Sequence, residues 1–410
     1  MFTWPRLREQ IACCRLGAML TALWPRTAAV LLAAFAVGLL TVYGGRTALS
    51  GPTSSAAAIP ITVGENSCGR GWSDPRPGAQ TLWLRNTGSE AAEVQLVELT
   101  SGAVLAEVAG LGSGASAPLR VELGGGRYAL RCVLEESNVV TGPAVGVPGP
   151  ATGPAGVIPV TRADLAGPLR TYQASVLAAM TPLLSDVATL RAAVYSGDRD
   201  AARRAWLPAH LDYQRLGAAY GAFGDLDEAI DGRPDRLLSG VSDPEFTGFR
   251  RLEYGLWHDQ PMPALRPVAD ALVASVTQLR DQAPNMRLDG LDLTRRVHEI
   301  LEDTERFELT GHSDDGSGTT LAAVGAQVDA TNSALDALRP LLRTRDPALP
   351  EVDAVLAELA RTLDTANHNG VWIPLQALDH STRQRINALV GQALELLAPI
   401  AVIAEPRQTS

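Results

Sequence analysis

The chain has 410 residues, 46% of them apolar and 20% charged, which excludes a wholly disordered protein and predicts two or three domains. Its formal net charge of −10 argues against nucleic-acid binding, because basic contacts to phosphate supply most of that affinity. All 35 basic residues are arginine, which excludes lysine-dependent chemistry such as Schiff-base formation.

The first predicted element is a membrane segment. Residues 1–26 contain four arginines and one acid, and residues 27–45 contain no charge. That apolar stretch is just long enough to cross a hydrocarbon core of about 30 Å, and the arginine-rich flank is expected to stay in the cytoplasm. The sequence therefore predicts a single-pass cell-membrane protein whose folded domains, after a linker at 46–57, are extracytoplasmic. A cleaved signal peptide is the alternative.

Residues 58–140 are predicted to form a small all-β domain. Six apolar runs, from IPITV to RYALRCVLE, are separated by Gly and Ser clusters, a pattern typical of a sandwich or barrel. Cys68 and Cys132 lie beyond the membrane segment, where disulfides persist, and a bond between them would stabilise the domain by about 4 kcal/mol. The domain contains no histidine or methionine, so no blue-copper centre is expected.

The rest of the chain is predicted to be a linker and a helical domain. Residues 141–159 contain five prolines and five glycines, which favours an extended linker. From 160 to 405 the apolar residues follow the helical period, and Thr161 or Asp164 and then Asp198 can cap the first two helices. An all-α region of this size predicts one or two helical bundles. We expect helices near 164–194, 199–223, 245–258, 263–282, 289–308, 318–343, 350–367 and 380–402.

Potential metal-binding side chains are densest between residues 206 and 258. His210, Asp212 and Gln214 fall within one predicted helical turn, and four acids follow at 225–231, where that helix is expected to end. Acids there oppose the helix dipole, so they either form a solvated turn or serve another purpose, such as holding a hard cation. Further along, Arg250 and Glu253 share one helix face. The segment HEILE at 298–302 lacks the second histidine of a zinc peptidase and predicts an exposed charged face.

Two segments of this region resemble a known family. DPEFTGFRRLEYGLW at 243–257 is similar to the signature of the imelysin superfamily in its EfeO/EfeM iron-uptake branch, and YQRLGAAYGAFGDLDEAIDGR at 213–233 resembles another helix of that branch. The resemblance implies a cupredoxin-like β domain followed by an imelysin-like helical bundle. It also implies a non-enzymatic, exported protein that binds iron and presents it to a permease, with a haem peroxidase as a further partner. Because the superfamily was first classed as peptidases, a metallopeptidase is the remaining alternative.

The sequence departs from the family pattern at two metal-ligating positions. The motif Gly-x-His-x-x-Glu reads GFRRLE at 248–253, so Arg250 replaces the histidine, and Gln214 replaces a glutamate. A guanidinium stays protonated, repels a cation and is expected to pair with Glu253. The resemblance leaves the following candidate ligands for iron or another divalent metal, with Tyr213 and Trp257 as site walls: Glu253, Asp225, Asp231, His210, Asp212 and His258. Two interpretations stay open: a rearranged metal site, or a degenerate docking subunit that binds an anion, a chelate or a partner protein.

Overall fold

The structure, a computed structural model, describes residues 60–134 and 139–407. The predicted membrane segment at 27–45 and its flanks lie outside these residues. A β-rich region comes first in the described chain and a helical region follows it. Two described helices, at 162–196 and 380–403, would also be long and apolar enough to span a membrane, but each contributes a buried face to the helical core.

The β-rich region contains two sheets around one apolar core. Burial alternates along the strands as expected for sheets covered on one side: Leu82 and Leu84 point into the core and Trp83 between them is exposed. One sheet has the order β2-β1-β3-β6, and the other has the order β5-β4-β7-β8 with β9 also paired to β7. The strands are β1 (Ile61–Gly64), β2 (Ser67–Arg70), β3 (Gly78–Asn86), β4 (Ala92–Glu98), β5 (Val104–Leu111), β6 (Ser116–Leu123), β7 (Gly126–Leu134), β8 (Val139–Thr141) and β9 (Val145–Val147).

A disulfide joins the two sheets. Cys68 on β2 and Cys132 on β7 are bonded with an S–S distance of 2.04 Å, and both are buried. The cysteine pairing expected from the sequence is therefore confirmed. The bond closes a loop of 64 residues, so it removes considerable freedom from the unfolded β region.

The segment predicted as a linker, 141–159, is more ordered than its composition indicates. Its first residues complete β8, and β9 pairs antiparallel with β7 through Val145 and Val147. Further along, Val157 exchanges backbone hydrogen bonds with Val104 on β5. The short Val-x-Val strand is hidden in the sequence because prolines and glycines surround it.

The helical region has ten helices among the described residues. Thr161 and Asp164 form a reciprocal capping box at the first helix, and Asp198 caps the second, as the sequence predicts. The helices are α1 (Arg162–Ser196), α2 (Arg199–Gln214), α3 (Tyr220–Phe223), α4 (Asp225–Asp231), α5 (Gly248–Trp257), α6 (Met262–Gln282), α7 (Gly290–Asp303), α8 (Thr320–Leu342), α9 (Leu349–Asp364) and α10 (His380–Ile403). The long helix α1 packs against α2, α6 and α8, and α10 packs against α7 and α9.

The helix predicted over 199–223 is broken in the structure. It ends at Gln214, a 3₁₀ turn follows at 217–219, and Gly224 adopts φ +58° before α4 begins. The prediction that the acids at 225–231 lie at a helix C-terminus was therefore wrong for Asp225, Asp227 and Glu228, although Asp231 is the last residue of α4. The first turn of α4 contains Asp225, Asp227 and Glu228, and the helix dipole stabilises negative charge at that end of the helix. A two-stranded hairpin at Asn367–His368 and Val371–Trp372 also interrupts the all-helical pattern.

Candidate metal centre

The start of α5 is held directly against the end of α4. Gly248 has φ +75°, and a Cβ there would lie 2.8 Å from the carbonyl oxygen of Ala229 and nearer still to that of Ile230. Only glycine fits this backbone position without strain. As a result, the side chain of Arg250 lies next to Asp231.

Arg250 is the central cation of a buried polar cluster. Its side chain is 6% exposed, with Nε 3.3 Å from Asp231 Oδ1 and Nη2 3.4 Å from Glu308 Oε1. Its Nη1 donates a hydrogen bond to the backbone carbonyl of Ser313. The expected pairing with Glu253 was wrong, because α4 and the turn before Ser313 bring other acceptors closer. We call Arg250 and its neighbours the Arg250 cluster: His210, Gln214, Asp231, Glu308, Ser313 and Gln327.

Besides its ion pair with Arg250, Asp231 lies within hydrogen-bond distance of two side chains. His210 Nε2 lies 3.1 Å from its Oδ1, and Gln214 Nε2 donates to its Oδ2 at 2.8 Å. Gln327 on α8 in turn donates to Gln214 at 3.1 Å. Burial alone would raise the pKa of Asp231, but the charge of Arg250 and the interactions with His210 and Gln214 hold that pKa below its ordinary value. Asp231 is therefore an ionised carboxylate whose charge is already balanced.

Glu253 lies beside the Arg250 cluster and, unlike Asp231, is hydrogen-bonded by backbone amides and not by side chains. Its Oε1 accepts backbone N–H bonds from Asp315 at 3.2 Å and Ser317 at 3.3 Å, whereas its Oε2 is buried and has no hydrogen-bond partner among the described residues. Burial raises the pKa of Glu253 to about 8, although nearby Arg250 opposes the shift. Burial likewise raises the pKa of Asp315 to about 6.

The remaining candidate ligands lie apart from Asp231 and Glu253. Asp212 pairs with Arg215 at 2.9 Å, and Asp225 is exposed at the start of α4. His258 is exposed and stacks on Tyr254, with ring centroids 4.1 Å apart. Within residues 60–134 and 139–407, no group of three or more His, Cys, Asp or Glu side chains is placed to hold a metal ion.

The two predicted wall residues have separate surroundings. Tyr213 is fully buried, and its hydroxyl donates to Asp227 Oδ1 at 2.5 Å. Burial raises the pKa of Asp227 to about 6. Trp257 packs edge-on against Trp206 at 5.5 Å and lies against the backbone of Gly316. Only His210, Gln214, Asp231 and Arg250 meet in one cluster as the sequence pattern suggests.

Three members of the cluster were missed by reasoning from the sequence. Glu308 is the last residue of a π-helical turn after α7, Ser313 follows in a loop, and Gln327 lies on α8. No local motif marks them. Glu308 falls at the end of a predicted helix, and only the packing of α7 and α8 brings it to Arg250.

The Arg250 cluster forms the floor of a small open cavity of about 130 Å³. Arg296 lines its side and is held by Glu299 at 3.4 Å and Asp303 at 3.2 Å. At the mouth, Arg233 lies over the ring of Phe307, with 3.5 Å between guanidinium carbon and ring centroid. Each of these arginines already has a partner, so the cavity is closely charge-balanced.

The chain is similar to several known proteins. Residues 168–400 match the protein family described as Imelysin. The chain is 27% identical over 353 residues to the iron uptake system component EfeO of Escherichia coli O1:K1, covering 81% of this chain and 92% of that protein. The EfeO of Shigella flexneri is 26% identical with the same coverage. An imelysin-like protein from Psychrobacter arcticum 273-4 superposes with a TM-score of 0.45 at 14% identity, covering 59% of this chain and 98% of that one.

Proposed function

Since this chain belongs to the imelysin family, we propose that it is a non-catalytic, extracytoplasmic component of an iron uptake system. In this proposal the helical domain of the chain docks partner proteins, and Arg250 occupies the position where a metal would bind. Its similarity to proteins named as iron uptake components supports the system. The disulfide between Cys68 and Cys132 supports export, since such bonds persist outside the cytoplasm. In this proposal residues 27–45 anchor the chain in the membrane, and the β region is a cupredoxin-like docking domain.

The observation that carries the proposal is the position of Arg250. Its guanidinium cannot lose its proton and lies between Asp231 and Glu308 at 3.3 and 3.4 Å. A cation placed about 4 Å from Arg250 would be repelled by about 4 kcal/mol per unit charge at an effective dielectric constant of about 20. The two carboxylates that could offset this repulsion, those of Asp231 and Glu308, already pair with the guanidinium. The residues present therefore do not fit a metal ion in the Arg250 cluster.

Metal titration tests this proposal. The full-length protein is treated with a chelator and titrated calorimetrically with Fe(III)-citrate, Fe(II), Cu(II) and Zn(II). We expect no micromolar binding by the wild type and a new binding site in Arg250→His, which restores the family ligand. Arg251→His on the same helix is the matched control and should create none. If Arg250→His also binds no ion, the cluster is not a metal centre blocked by an arginine.

Iron presentation to a permease, with a haem peroxidase as further partner, is the second candidate. The favouring observation is Glu253, whose buried Oε2 has no hydrogen-bond partner among the described residues and would act as a hard ligand once a bound cation displaces the carboxyl proton. This function predicts micromolar, one-site iron binding by the wild type that is weakened at least about tenfold by Glu253→Gln. Glu395→Gln, an exposed site on α10, should leave that binding unchanged. If the wild type binds iron in this way and only Glu253→Gln weakens the binding, the docking proposal is wrong and iron presentation takes its place.

A further inference from the structure

A second cavity lies beside the first, with Arg296 lining both. It has a volume of about 280 Å³ and lies between α1, the turns at 217–222 and the start of α7. One water molecule needs only about 10–15 Å³ of such space, so this cavity can hold a small organic molecule.

Tyr172 is the residue of α1 that lines this cavity. The residue is 2% exposed, and its hydroxyl has no hydrogen-bond partner among the described residues. The backbone of Ala218 lies close by but outside hydrogen-bond geometry. Burial raises the pKa of Tyr172, so the hydroxyl remains a proton donor at every physiological pH. A buried hydroxyl without an acceptor is costly, and a ligand that accepts from it would remove that cost.

Two arginines at the cavity are also unpartnered. Arg287 and Arg295 are exposed, and neither forms an ion pair or a side-chain hydrogen bond within the described part of the chain. They belong to the segment before α7 and to α7 itself. A guanidinium offers five N–H donors in a planar fork that fits a carboxylate.

The acids at the cavity are mostly engaged. Asp289 accepts from the backbone amides of Leu291 and Asp292, and Glu299 pairs with Arg296. Only the Asp292 side chain is without a partner among the described residues. Unused donors therefore outnumber unused acceptors, which favours a ligand rich in acceptor oxygens.

We propose that this second cavity binds a small organic carboxylate. The carboxylate oxygens accept from Tyr172 and from the guanidinium groups of Arg287 and Arg295, while the carbon chain lies against Ala222 and Leu288. This binding goes beyond the proposed function and does not depend on whether the Arg250 cluster holds iron. The helical domain would then bind a small molecule at a site separate from the Arg250 cluster.

The test uses succinate and citrate as probes and the full-length protein in a calorimetric titration. We expect at least one of them to bind with a dissociation constant of about 1 mM or tighter. Tyr172→Phe removes only the hydroxyl and should weaken binding roughly tenfold. Because that hydroxyl has no partner to lose, the melting temperature of this variant should not fall. Arg295→Gln should weaken binding to a similar degree.

Matched controls separate this site from general charge attraction. Tyr195→Phe changes an exposed tyrosine on the same helix, and Arg280→Gln removes an exposed arginine outside the cavity. Neither should alter carboxylate binding. The proposal is overturned if neither probe binds, or if binding is unchanged in both Tyr172→Phe and Arg295→Gln. It is also overturned if inorganic phosphate binds equally well and is insensitive to Tyr172→Phe.

Discussion

In the Arg250 cluster, a buried guanidinium lies against two carboxylates, those of Asp231 and Glu308. Proximity to these acids raises the pKa of Arg250 further above its ordinary value, although burial opposes the shift. Removing one partner of such a buried ion pair lowers the stability of the folded state by more than the intact pair contributes to it, because the other charge is left buried and unpaired.

Glu253 predicts a pH dependence at the residue scale. Burial raises its folded-state pKa from the ordinary 4.5 to about 8, so between these values the folded state holds one proton more than the unfolded state. The free energy of unfolding must then fall as the pH rises. We expect Glu253 to contribute a loss of about 3 kcal/mol between about pH 5 and about pH 8.

Urea unfolding of the wild type and Glu253→Gln across this range measures that contribution. Glutamine cannot ionise, so the variant should show a smaller decline than the wild type. Asp227, whose pKa burial raises to about 6, should contribute equally to the pH dependence of both proteins and cancel in the comparison. Asp315, whose pKa burial also raises to about 6, interacts with Glu253, so its contribution differs between the two proteins and adds to the measured difference. Parallel pH profiles would show that Glu253 titrates as an ordinary exposed acid.

At the scale of elements, the close contact between α4 and α5 depends on Gly248. Gly248→Ala combines a disfavoured φ with an overlap against the Ala229 and Ile230 carbonyls, so we expect a loss of roughly 3 kcal/mol or more in unfolding free energy. Gly391→Ala on α10 is the control. Its Cβ would meet nothing within 4 Å in a helix, which predicts a gain of about 0.4–1 kcal/mol. Equal effects of the two substitutions in chemical denaturation would contradict this role of Gly248.

Helices could be predicted from the sequence better than the site they form. Helix starts depend on local signals, such as the capping box of Thr161 and Asp164, and are therefore visible in the chain. The break after Gln214, where a 3₁₀ turn at 217–219 follows, was missed. Glu308 is 58 residues from Arg250, and its approach depends on tertiary packing, which no spacing reveals. The ionic partner of Arg250 was therefore predicted wrongly.

At the scale of the whole molecule, the described strands of the β-rich region make few contacts with the described helices. Arg407, after α10, pairs with Glu107 on β5, and its backbone N–H bonds to Val160 before α1. Each region has a separate apolar core. Because the two cores are separate, we expect the two regions to unfold as separate calorimetric transitions.

The disulfide tests this independence, because it lies wholly within the β-rich region. Replacing Cys68 and Cys132 by serine removes a constraint on a 64-residue loop and should cost that region about 4 kcal/mol. In scanning calorimetry one transition should move to lower temperature while the helical transition stays in place. Reductant added to the wild type should reproduce the shift. If both transitions move together, the contacts of Arg407 and Val160 couple the two regions into one cooperative unit, and a partner bound to either region would then stabilise the other.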